Sequence, residues 1–140
     1  MRFGIIITAI AAAAIATPVL AQPDLSGRDP HWIRDDATGC WAANPDPEPF
    51  ETITWTGQCT DGLLSGAGTL SWFVSGKPVG RDEGNFTRGE LSGHGRISFA
   101  DGAVFEGEFP GRGLLTLPNG DHVNAVSVKE MAGWSIEAQR

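Results

Sequence analysis

The stretch that decides the fold reads Asp82-Glu83-Gly84-Asn85-Phe86-Thr87-Arg88-Gly89-Glu90-Leu91-Ser92-Gly93-His94-Gly95-Arg96-Ile97-Ser98-Phe99. A copy of it stands 27 residues earlier, where Gly57, Gly62, Gly66 and Gly68 precede Gly84, Gly89, Gly93 and Gly95. Leu70 and Trp72 reappear at the same shift as Ile97 and Phe99. A third copy begins at Phe105-Glu106-Gly107-Glu108-Phe109, with Gly107 placed 23 residues after Gly84. It resumes at Gly111 and Gly113, then Leu115 and Leu117, and a fading fourth start lies at Asn119–Val123. A fixed period of this length marks a stack of like units, each contacting only its neighbours.

Within each copy the alternation has a period of two. Ile97 and Phe99 share a face with Gly93 and Gly95, while His94, Arg96 and Ser98 take the other. Apolar residues on one side of an alternating strand describe a half-buried antiparallel strand. Asp61-Gly62 is a hairpin turn signal, because glycine accepts positive φ. Glycine ordinarily weakens a strand. Here the glycines share a face with aromatic rings, so a ring from the neighbouring hairpin is expected to cover each bare backbone position. The sequence therefore predicts a mainly β chain, a curved single antiparallel sheet of successive β-hairpins over residues 51–127.

These residues resemble the MORN repeat family, whose unit is close to Tyr-x-Gly-x-Trp/Phe-x-x-Gly-x-x-x-Gly-x-Gly and folds as successive hairpins. The matching stretches are Trp55–Gly62 with Gly66 and Gly68, Asp82–Gly89 with Gly93 and Gly95, and Phe105–Phe109 with Gly111 and Gly113. Two departures stand out: Asp82 occupies the place of an aromatic, and Cys59 that of the second aromatic of the first copy. The resemblance implies an interaction role, with phospholipid or membrane association as one form of it.

Outside the repeats the chain divides into three further parts. Residues 1–21 open with Arg2, continue in a short apolar run from Phe3 to Ala16, and end in Val19-Leu20-Ala21. That is the pattern of a secretory signal peptide cut before Gln22. Residues 22–50 read as an N-terminal arm, loosely held over 22–39 with Trp32 and Ile33 as its candidate pins, and with the alternating prolines of Asn44–Pro49 excluding a central strand. Residues 128–140 read as a cap, with a short helix as the candidate. Export would place Cys40 and Cys59 in an oxidising compartment, where a disulfide is the default. The localisation expected is periplasmic or secreted, soluble after cleavage.

The sequence holds 10 Lys and Arg against 17 Asp and Glu, and without Arg2 the balance is 9 against 17, a net charge of −8. Such a surface excludes nucleic acid as a partner and argues against binding to anionic membranes. No phosphate loop, nucleophile elbow or metal-ligand spacing occurs, so no catalytic residue, metal or cofactor is expected. The aromatic set Trp55, Trp72, Phe86, Phe99, Phe105 and Phe109 is a candidate groove. Carboxylate pairs across hairpins, Glu106 or Glu108 with Glu83 or Glu90, are the candidate for a rival reading as a small envelope hydrolase. The leading expectation is a non-catalytic binding or scaffold module of the cell envelope, acting on an unknown protein or envelope component. A structural accessory protein without a discrete ligand is the third reading.

Overall fold

A computed structural model describes residues 22–139, so the signal peptide expected at 1–21 lies outside the described residues. All regular structure among them is β, in one curled, open sheet. The first strands, β1 (Trp32–Arg34) and β2 (Trp41–Ala43), pair with each other. Two short strands, β3 (Glu51–Trp55) and β4 (Gln58–Thr60), both pair with the long β5 (Leu63–Val74). The hairpins continue through β6 (Lys77–Thr87), β7 (Glu90–Phe99), β8 (Val104–Phe109), β9 (Gly111–Thr116), β10 (His122–Lys129) and β11 (Trp134–Ala138).

The turns follow the residues. Asp61-Gly62, Ser75-Gly76 and Arg88-Gly89 each join two strands with only two residues, and all six have positive φ between 49° and 82°. Two consecutive positive φ values match the twist of the flanking strands and place glycine second. The β8–β9 connection is built instead around a cis Phe109–Pro110 bond.

Strand register arranges the inner face in rows. One row runs Trp55, Leu70, Asp82, Ile97, Phe105, Leu115 and Val123, each directly opposite the next. The adjacent row is Gly68, Gly84, Gly95, Gly107 and Gly113, ending at Ala125. Rings lie down across this bare row. A Cβ on Gly68 would stand 2.4 Å from the Trp55 ring, and one on Gly113 would stand 2.6 Å from that of Phe105. The core forms where Trp55 meets Phe86 edge-on, with centroids 4.7 Å apart, and Phe105 meets Phe109 at 5.5 Å. The expected pairing of rings and glycines on one face holds. The rings over Gly68 and Gly113 nonetheless belong to the same hairpin as the glycine, whereas Phe109, 3.2 Å from a Cβ on Gly95, and Trp32, 2.9 Å from a Cβ on Gly89, reach over from other strands.

Three other expectations are corrected. The C-terminal segment forms no helix: it forms β11, which pairs with β10 around a turn at Gly133 with φ +78°. Segment 22–50 is tied to the sheet through β1 and β2, and β2 meets β5 in parallel at Trp41 and Leu63, so the sheet is not antiparallel throughout. The first strand of copy one breaks at Thr56-Gly57, where the Trp55 ring and the Ala67 carbonyl crowd the Gly57 backbone and leave no room for a side chain.

The break has a use. Beyond it β4 pairs with the start of β5, which β2 also meets, and Cys40 and Cys59 are joined there by a disulfide with Cα atoms 5.7 Å apart. Cys40 itself is buried in the core beside Ala42 and Leu64.

Candidate functional site

The curl of the sheet encloses a cleft of about 640 Å³ on its inner face. Repeat chemistry explains why space is left there. Trp55 in the first hairpin and Phe105 in the third each carry a ring at the equivalent position, and both rings are buried. In the second hairpin that position is Asp82, whose short side chain leaves the row unfilled between Leu70 and Ile97. Leu70, Trp72, Phe86, Leu91 and Ile97 supply apolar walls from β5, β6 and β7. Trp134 and Ile136 supply the opposing wall from β11. Concave, mostly apolar sites with a few placed polar groups are the usual form of a small-ligand pocket.

The final hairpin is held over the cleft by polar contacts to the start of β7. The Trp134 indole N–H donates to the Leu91 carbonyl at 3.0 Å. The Gly133 amide donates to Glu90 Oε1 at 3.1 Å, and Lys129 Nζ binds the same oxygen at 2.6 Å. The Trp134 ring also packs edge-on against Phe109 with centroids 5.7 Å apart. Lys129 lies over its face at 5.5 Å.

Asp82 is half-buried and accepts a hydrogen bond on Oδ2 from the Trp72 indole nitrogen at 3.1 Å. Burial pushes its carboxyl up to about 7, with the Trp72 hydrogen bond acting in the opposite direction. At the rim, burial also raises the Glu51 carboxyl, which accepts a hydrogen bond from Asn44 and is surrounded by Glu48 and Asp46.

A stability prediction follows from Asp82. The folded carboxyl keeps its proton up to about 7, whereas the ordinary value is 3.8. Between these values the folded state binds more protons, so stability falls as pH rises through that window. Asp82→Asn, of the same shape and still able to accept from Trp72, is expected to remove most of this fall. The variant should exceed the parent at pH 8 by on the order of 2 kcal/mol and match it at pH 4. Urea unfolding at several pH values checks this. An unchanged pH slope in the variant would assign the slope to other groups, Glu51 first.

The six aromatic candidates separate into two groups. Trp55, Phe105 and Phe109 are buried packing residues, whereas Trp72, Phe86 and Phe99 line the cleft, with Phe99 exposed at its edge. Of the repeat glycines, Gly57, Gly68, Gly84, Gly95, Gly107 and Gly113 lie at close approaches. Gly62, Gly66, Gly89 and Gly93 take positive φ near +75° to +82° or +72°. Gly111, also at positive φ, sits against Glu108.

The carboxylate candidates are each engaged by a nitrogen partner. Glu106 and Glu108 project from the outer face and flank His94, whose nitrogens lie 3.3 Å and 3.2 Å from them. The hydrogen bonds to Glu106 and then Glu108 raise the imidazole above its ordinary value. Glu83 is separated from Glu106 by Arg96 in register, and Glu90 is held on the inner side by Lys129. No group of three or more His, Cys, Asp or Glu among the described residues could hold a metal ion.

The wall from Trp134 and Ile136 has no signal in the sequence, where the local residues of 128–140 favour a helix over β11. The role of Asp82 was visible only as a departure from the repeat. No curated protein matches the chain. A family model does, over residues 83–104, which covers the end of β6, all of β7 and the loop to β8. Family resemblance of this kind points to a binding or scaffold module. The model that residues 83–104 match is that of the MORN repeat, and the match falls on the hairpin that bears Asp82's strand and the floor of the cleft.

Proposed function

We propose that the chain is a non-catalytic binding module of the cell envelope whose ligand-holding surface is the inner face of the curled sheet. The observation that carries this reading is the cleft of about 640 Å³, walled by two repeat hairpins and by the final hairpin clasped over them. A sheet that served only as a spacer would fill the row at Asp82 as it does at Trp55 and Phe105, because close packing there stabilises the fold. Export is supported by the Cys40–Cys59 disulfide. Among the described residues no helix is long and apolar enough to cross a membrane. The partner is an envelope molecule or an exported one, and with a charge of −8 after removal of residues 1–21 neither nucleic acid nor an anionic bilayer is expected.

Ile136→Trp, on β11, places an indole in the cleft without touching the outer face. Tagged parent and variant, purified from the periplasm, are compared for what they retain from an envelope extract, small molecules included. Components retained by the parent and lost by the variant support the inner face as the binding surface. Identical retention by both would move the function to the outer face.

A further inference from the structure

The acidic and apolar features of the cleft define the class of ligand. Its acids are Asp46, Glu48, Glu51, Asp82, Glu90 and Asp101, and among the described residues no Lys, Arg or His lines it. These carboxylates differ in what already satisfies them. Glu90 is taken by Lys129 and the Gly133 amide. Glu51 is engaged by Asn44. Asp46, Glu48 and Asp101 are exposed to water at the rim. Asp82 differs from all of these: it sits within an apolar cross-strand row, flanked by Leu70 and Ile97, and its bond to an uncharged indole N–H brings no counter-charge. A carboxylate withdrawn from water without a cation is costly, and a cation that arrives with a ligand removes that cost.

Resting on the reading of the inner face as the binding surface, we propose that the cleft binds a small amphipathic cation. Its apolar body lies between Ile97 and Ile136, and its single protonated amine is held by the Asp82 carboxylate. The apolar walls bury the body, and the rim acids Glu48, Glu51 and Asp101 set a negative field at the mouth that draws a cation in and repels anions. The raised carboxyl of Asp82 fits this placement, since an ammonium beside it would favour its charged form. Charge complementarity excludes fatty acids and phosphate esters from the same place.

The test uses three probes of one length, n-octylammonium, octanol and octanoate, titrated into the full mature chain at pH 8 by calorimetry. The Trp72 indole N–H resonance is followed in parallel. Octylammonium is expected to bind about tenfold or more tighter than octanol, octanoate more weakly than either, and the Trp72 signal to shift on binding. Asp82→Asn should lower octylammonium affinity to that of octanol and leave octanol unchanged. Between pH 8 and pH 5 the parent's preference for the ammonium should decline as Asp82 takes up its proton, because the amine itself stays charged throughout. Ile136→Trp should weaken all three.

Equal binding of octylammonium and octanol, or an ammonium preference that survives in Asp82→Asn, overturns the cation assignment while leaving the cleft as the binding surface. Failure of all three probes to bind also overturns it. The extract comparison with Ile136→Trp then decides the inner-face reading on its own.

Discussion

Gly113→Ala is expected to destabilise the fold by about 3 kcal/mol, whereas Gly66→Ala should cost only about 1 kcal/mol. Both positions are repeat glycines, so sequence pattern alone treats them alike. Their surroundings differ. A Cβ on Gly113 would lie 2.4 Å from the Glu106 carbonyl oxygen and 2.6 Å from the Phe105 ring, and the carbonyl belongs to a strand held in register on both sides. Relief requires either moving β8 away from β9 or lifting the most buried ring of the core. Gly66 has open space around its Cβ position and demands only a φ of +75°, which an L residue meets at the cost of local strain. Thermal unfolding of the two variants separates packing from backbone conformation. Similar losses at both would mean that the glycine row serves turns and bulges rather than the approach of rings.

Removing the disulfide, as Cys40→Ala with Cys59→Ala, is expected to cost a comparable amount, about 3 kcal/mol, by freeing a closed loop in the unfolded chain. The bridge spans 19 residues and joins the residue before β2 to β4, two strands of three residues each. Beyond the disulfide, β2 meets β5 at a single register pair and is otherwise held by β1 and by the Ala43 amide bond to the Gly89 carbonyl. Loss of stability should therefore come with earlier hydrogen exchange at Trp41–Ala43 and Gln58–Thr60, while β7 and β8 stay protected. Titration with a reductant during urea unfolding measures the first effect. Uniform loosening across all strands would show that the segment 32–60 is not a separate cap.

Much of this arrangement was legible in the chain. The offsets of Gly57, Gly84 and Gly107 located three successive hairpins, and the positive-φ turn at Asp61-Gly62 is the one its residues require. The C-terminal strand was not legible: Lys129–Ala138 has no strict alternation, and Ala132 and Met131 favour helix locally. Pairing with β10 and the Trp134 bond to Leu91 override that preference. The strands near Trp32 and Trp41 were hidden for the same reason, since three-residue strands carry no periodicity to detect. Asp82 could be seen as an oddity in the repeat, but its meaning depends on cross-strand register, and only the fold shows that it stands among Leu70 and Ile97.

The contact of Gly133 and Lys129 with Glu90 spans 43 and 39 residues of chain and skips the whole third hairpin. Curvature in the middle of the sheet is thus fixed from outside, as a bow is held bent by its string. Removing the acceptor by Glu90→Ala would leave the Trp134 bond to Leu91 as the remaining clasp, so the arc would relax outward and the mouth of the cleft would widen although none of its apolar walls had been altered.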